Sequence, residues 1–208
     1  MGRDYVSTGV PCSKIAFPDM EKGQTDPSLA RLNYLLQKIA SNAPAPGSGS
    51  ACGAVVAAAA ALVEKAANLS TGQWSGAARV LERAKALRVE GFELIEEDAQ
   101  AYLAFVEAVR SQVDVDTAHA RTVDVPLRMT RAAAEVAELA VQLAARGNPN
   151  LRPDAVVAAI LAAAAAESGR TLIAVNVGDV AGDSRLAAAT KLARQAGELA
   201  GSLRSQPS

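Results

Sequence analysis

Residues 51–63 read ACGAVVAAAAALV and residues 155–166 read AVVAAILAAAAA, two runs built almost wholly from small side chains. Strands favour β-branched and aromatic residues that cover a pleated surface, and alanine fills that role poorly. Alanine has the highest helix propensity and loses no rotamer freedom on burial. Half of the residues are hydrophobic but only 3% are aromatic, so the core must be filled by closely approaching backbones. The expectation is an all-α bundle.

A chain of 208 residues can bury one core without disulfides or metal. Each apolar run falls short of the roughly 18 residues that a membrane span needs, so both read as buried helices and no membrane partner is expected. With 21 basic and 22 acidic residues and no basic stripe interleaved with aromatics, nucleic acid is not an expected partner. Cys12 and Cys52 are far apart and lack a CxxC or Cys/His cluster, so neither a disulfide framework nor a metal site is indicated. The first twenty residues lack the apolar run of about 7 to 15 residues that a signal peptide requires. The expected compartment is the cytoplasm.

Residues 1–25 carry glycine, proline, serine and charge without periodicity and read as a flexible leader to one helical domain over residues 26–204. Asp26-Pro27-Ser28 reads as an N-cap with proline in the first turn, and Leu29, Leu32, Leu35, Leu36 and Ile39 follow at helical spacing. That predicts a first helix over about 27–42. PAPGSGS, residues 44–50, separates it from a central small-residue helix over about 50–69, one able to meet a copy of itself. A long amphipathic stretch covers 75–110, and a further helix runs from Asp116 to Ala145 with Pro126 kinking it by removing an internal hydrogen bond. A fifth helix covers about 153–170 and a last one about 181–203. Between them Ile173 to Val177 alternates at period two but is too short to seed a sheet. The expectation is about six helices joined by short loops.

PAPGSGS lacks the GxxxxGK[ST] pattern of a phosphate loop, since no lysine follows before Lys65. It reads either as a plain connector or as a glycine loop whose free N–H groups and helix dipole favour an anion or a carbonyl oxygen. His119 is the only histidine and has no nucleophile motif near it, so acid and base work falls to carboxylates. Asp98 lies at the border of an apolar face beside Ile95, Tyr102 and Phe105; Asp154 opens the apolar fifth helix, as a cap or as a functional group. Asn68 and Asn176 sit in apolar runs, where a buried amide needs partners.

Read in order, LLQKIASNAPAPGSGS, AANLSTG (66–72), LIEEDAQAY (94–102), VPL (125–127), GNPNLRPD (147–154) and the VNV around 176 resemble the cyclodeaminase/cyclohydrolase family of tetrahydrofolate enzymes. The resemblance covers about residues 29–200. It implies an all-helical homodimer with a folate derivative bound near the subunit interface. The implied reaction is hydrolysis of 5,10-methenyltetrahydrofolate to 10-formyltetrahydrofolate or cyclisation of 5-formiminotetrahydrofolate with loss of ammonia, with no metal or redox cofactor. Hydrolysis is preferred because no formiminotransferase segment accompanies the chain.

By the same resemblance, Pro46, Gly47, Ser48, Gly49 and Ser50 form the substrate loop, and Asn68, Gly72 and Asn176 contribute to binding. Asp98 or Asp154 transfers protons. The sequence departs from the family pattern at Ser48, where a glycine is usual, at Gln73, at Val156, and at Leu172 and Ala174 in the final motif. Those departures keep two alternatives open: a non-catalytic dimeric helical protein that binds a ligand or partner, or an enzyme acting on another amidine or cyclic substrate.

Overall fold

The computed structural model describes residues 26–178 and 182–205; the expected leader, residues 1–25, lies outside them. Six α-helices and one short 3₁₀ turn make up the described residues, with no strand among them. Helix α1, Pro27–Ile39, is started as expected: the Asp26 carboxylate accepts the Ser28 N–H at 2.8 Å, and the Asp26 carbonyl accepts the Ala30 N–H. It buries none of its own residues. Residues through Gln37 form one compact unit and residues from Lys38 onward another.

The second unit is the bundle. Helices α2 (Ser48–Asn68), α3 (Ala77–Ser111), α4 (Val115–Arg146), α5 (Arg152–Val177) and α6 (Ser184–Ser205) run in chain order, with the 3₁₀ turn Pro149–Leu151 ahead of α5. Helix α2 packs against α3, α4 and α5, and α6 closes over α4 and α5. Small residues set the spacing. A Cβ added to Gly91 would lie 2.8 Å from the Ala57 nitrogen, and one added to Gly53 would lie 3.0 Å from the Gly91 carbonyl oxygen, so α2 and α3 meet backbone to backbone. Ala59, Ala60, Ala66 and Ala67 of α2 and Ala158, Ala159, Ala162, Ala165 and Ala166 of α5 are buried. The larger fully buried side chains, Val56, Val63, Leu87, Leu94, Met129 and Val136, fill what the alanines leave.

Two expectations need correction. The stretch 171–177 is not a separate apolar segment: α5 continues through it and stops at Gly178, whose φ of +61° favours glycine. Tertiary packing overrides the strand-like alternation, because Ile173 and Val177 stand four residues apart on one helix face and bury against Val123, Leu127 and Ala189. The two apolar runs also sit in longer helical segments than their own length implied. Ser48–Asn68 and Pro149–Val177 are, by length and composition alone, long and apolar enough to cross a membrane, yet both are core elements of the bundle.

Candidate functional site

Residues 44–47 lead into α2. Gly47 is the N-cap and contributes no side-chain cap, although its carbonyl accepts the Ala51 N–H. The N–H groups of Ser48, Gly49 and Ser50 therefore have no partner within the helix. Asp98, one turn beyond Ile95 on α3, supplies an acceptor: its carboxylate takes the Ser50 N–H. The Ser50 hydroxyl donates to the Ile95 carbonyl at 2.8 Å, which pins the start of α2 to the same turn of α3.

Gly49 is what makes room for this. A Cβ there would collide with both carboxylate oxygens of Asp98. Burial pushes the Asp98 carboxyl above the usual carboxylate range, and the Ser50 N–H pulls it back only in part. Among the described residues no cation pairs with it; Arg128 of α4 reaches the neighbouring Glu97 instead.

Asp98 opens into a cavity of about 220 Å³ whose lining includes Gly47, Ser48, Gly49, Tyr102, Thr122, Pro126, Leu172 and Asn176. A second, more apolar cavity of about 420 Å³ between α2 and α5 shares Ser48 and Leu172 with the first. Cys52 lines that second cavity; its thiol donates to the Ala165 carbonyl, and burial pushes it up to about 12, aided by the negative charge of Asp98.

Asn176 is held from α4. Its Nδ2 donates to the Thr122 carbonyl at 2.6 Å, and its own carbonyl accepts from His119 Nε2 at 2.8 Å. The His119 ring packs against Phe105, with centroids 5.4 Å apart. The sole histidine is thus a structural partner of Asn176.

The remaining expected residues collect at the opposite end of α2. From Ser50 to Asn68 the helix rises about 27 Å. Asn68 is exposed, contrary to the expectation of a buried amide, because it falls on the solvent side of the last turn. Gly72 is exposed in the following turn. The Ser70 hydroxyl accepts the Asn148 N–H at 2.8 Å, and Asn148 Nδ2 reaches the Leu69 carbonyl, so the AANLSTG and GNPN segments brace each other. Asp154, in the first turn of α5, is ion-paired with Lys65 at 3.3 Å. One chain therefore brings Gly47 to Ser50, Asp98 and Asn176 together, and places Asn68, Gly72 and Asp154 in a separate group.

Sequence reasoning missed Thr122, Tyr102 and Pro126 as cavity residues. Pro126 was visible as a kink, and its missing N–H frees the carbonyl four residues earlier, which is that of Thr122. That count would have identified Thr122.

The fold and this site define an all-α protein with a desolvated carboxylate set over a glycine-loop helix N-terminus. A model of the formiminotransferase-cyclodeaminase family matches residues 31–196. A methenyltetrahydrofolate cyclohydrolase of Methylorubrum extorquens is 32% identical over 162 residues, covering 70% of this chain and 78% of the relative. The crystal structure of formiminotetrahydrofolate cyclodeaminase from Thermotoga maritima shares the fold, with a TM-score of 0.76 at 23% identity, over 83% of this chain and 93% of that one. The chain belongs to the formiminotransferase-cyclodeaminase family.

Proposed function

We propose that the protein interconverts one-carbon forms of tetrahydrofolate, with Asp98 as the proton-transfer group and hydrolysis of 5,10-methenyltetrahydrofolate as the preferred reaction. The observation that carries this is the Asp98 carboxylate, desolvated and held against Gly49 in a cavity it shares with Asn176. A relative 32% identical is a methenyltetrahydrofolate cyclohydrolase, which makes hydrolysis the reaction to test first.

In hydrolysis, water attacks the methenyl carbon between N5 and N10. Asp98 takes one water proton as the new C–O bond forms and returns it to N5 as the C–N5 bond breaks; the remaining hydroxyl proton leaves to solvent as the C=O forms, discharging the cationic substrate, and the formyl group stays on N10. In cyclodeamination, N10 attacks the formimino carbon and loses a proton, and the C–NH₂ bond breaks once the nitrogen is protonated to leave as ammonia. Neither reaction changes oxidation state, so neither calls for a redox cofactor, and a positioned carboxyl is the acid and base that both require. A carboxyl raised by burial suits that task, since it takes up a proton more readily than an exposed one.

The protein acts as a homodimer in this reading. Ala51, Val55, Ala58 and Leu62 of α2 and Val157, Ile160 and Ala164 of α5 recur at spacings of three and four on partly or fully exposed faces, with Val157 47% and Ile160 39% exposed. A two-fold axis at the middle of α2 would bring Asn68, Gly72 and Asp154 of one copy toward the Asp98 cavity of the other. Val157→Glu is expected to convert a species of twice 21.3 kDa into a monomer in light scattering.

The deciding experiment follows the absorbance of 5,10-methenyltetrahydrofolate and of 5-formiminotetrahydrofolate separately. Loss of the methenyl chromophore supports hydrolysis, and its appearance from the formimino compound supports cyclodeamination. Turnover of neither, with no calorimetric binding of tetrahydrofolate, overturns the folate reading.

A further inference from the structure

Pro126 has no N–H, so the Thr122 carbonyl lacks the donor an uninterrupted helix would give it. The donor that reaches it is the side chain of Asn176, at 2.6 Å. A carbonyl oxygen only accepts, so the amide cannot turn over: the reversed orientation would set Asn176 Oδ1 against Thr122 O. The backbone of Asn176 is held as well. Its carbonyl lies in the last turn of α5, where carbonyls lack intrahelical partners, and His119 Nε2 donates to it at 2.8 Å. Thr122 Oγ1 in turn donates to the His119 carbonyl at 2.8 Å, and Phe105 of α3 backs the imidazole ring. Side chain and main chain of one residue are thereby fixed from α4, at the wall of the Asp98 cavity.

We propose that His119 and Pro126 are positioning residues that lock Asn176 in a single orientation within the Asp98 cavity, so that the amide presents one fixed pattern of donor and acceptor to the ring edge of the substrate. The proposal rests on the folate reading of that cavity. Its device is a helix defect: proline opens a carbonyl in α4, the asparagine of α5 fills it, and histidine caps the α5 terminus that carries the asparagine. Donation to the Asn176 carbonyl requires a proton on Nε2, which both the neutral Nε2–H tautomer and the imidazolium supply.

The test uses the full chain. His119→Leu keeps an apolar group against Phe105 and removes the donor; kcat is expected to fall about tenfold, with KM changed less than threefold, because a misoriented group loses reactive geometry more than affinity. His119→Gln restores an N–H of similar reach and should recover most of the loss. The double variant His119→Leu with Asn176→Ala should be no slower than Asn176→Ala alone, because His119 acts through Asn176. Additive losses, or no recovery in His119→Gln, would overturn the proposal. The ligand-free protein supplies a second reading by NMR: the Asn176 side-chain amide protons should exchange slowly in the wild type and fast in both His119→Leu and Pro126→Ala. Equal exchange in all three would overturn the lock. A wild type that neither binds nor turns over folates would remove the folate reading while this exchange measurement still decides the lock.

Discussion

An aspartate stands at each end of α2, Asp98 from α3 and Asp154 from α5, and the two are treated in opposite ways. At the N-terminal end Asp98 receives one backbone N–H and pairs with no cation among the described residues, and burial raises its carboxyl. At the C-terminal end Asp154 keeps a lysine at 3.3 Å and more than a quarter of its side chain in solvent. A carboxylate stripped of water gains much by accepting a proton, and one seated beside a lysine serves to hold that cation. The difference separates a group suited to moving protons from one suited to holding charge and orienting a helix terminus.

The largest expected effect breaks that comparison at its stronger side. Asp98→Asn should lower turnover of the folate substrate by about 10²- to 10⁴-fold, the usual contribution of a positioned acid or base. Asp154→Asn should cost less than tenfold, read in the same absorbance assay. Equal losses would erase the distinction between the two ends.

Next in size is the glycine that admits Asp98. Gly49→Ala places a Cβ against the carboxylate, and overpacking of that kind costs about 1–3 kcal/mol. Urea unfolding should show a lower midpoint with unchanged slope. Gly47→Ala meets nothing within 4 Å and should be milder, which makes it the internal control.

A smaller effect lies in the pH dependence of stability. Because the Asp98 carboxyl is raised in the folded protein, the folded state holds its proton more tightly than the unfolded chain does. Stability from this group is fully present below the unfolded carboxylate range and is lost as pH rises through the folded value. Asp98→Asn should therefore unfold at a higher temperature than wild type at neutral pH, with the gap closing as the solution is acidified. A gap independent of pH would contradict the desolvated setting.

The smallest effect is on thiol chemistry. Cys52 is buried and its thiol is pushed up to about 12, so in a Cys12→Ser background the folded protein should resist a thiol-specific disulfide reagent at pH 8 and react only on unfolding. Rapid labelling of the folded form would show that the cavity between α2 and α5 opens freely.

The helical class and most helix bounds were legible because alanine content and three-to-four spacing are local signals. The extension of α5 through Val177 was not, because the period-two alternation of Ile173, Val175 and Val177 is read locally while the packing of Ile173 and Val177 on Val123 and Leu127 is not. The site was half legible. The sequence marked the glycine loop, Asp98 and Asn176, but the separation of Asp154 and Asn68 from them follows from the length of α2 within one chain. The partnership of Thr122 and His119 with Asn176 joins positions 54 and 57 residues apart and becomes visible only when α4 and α5 are laid side by side.

In the proposed reaction Asp98 moves protons and is not merely a contact for the ligand. Single-turnover hydrolysis of 5,10-methenyltetrahydrofolate by Asp98→Asn, paired with calorimetric binding of tetrahydrofolate to the same variant, tests it most directly. Binding should stay within about threefold of wild type while the chemical step slows by about a hundredfold or more. A wild-type chemical step in that variant, or a loss confined to binding, would contradict it.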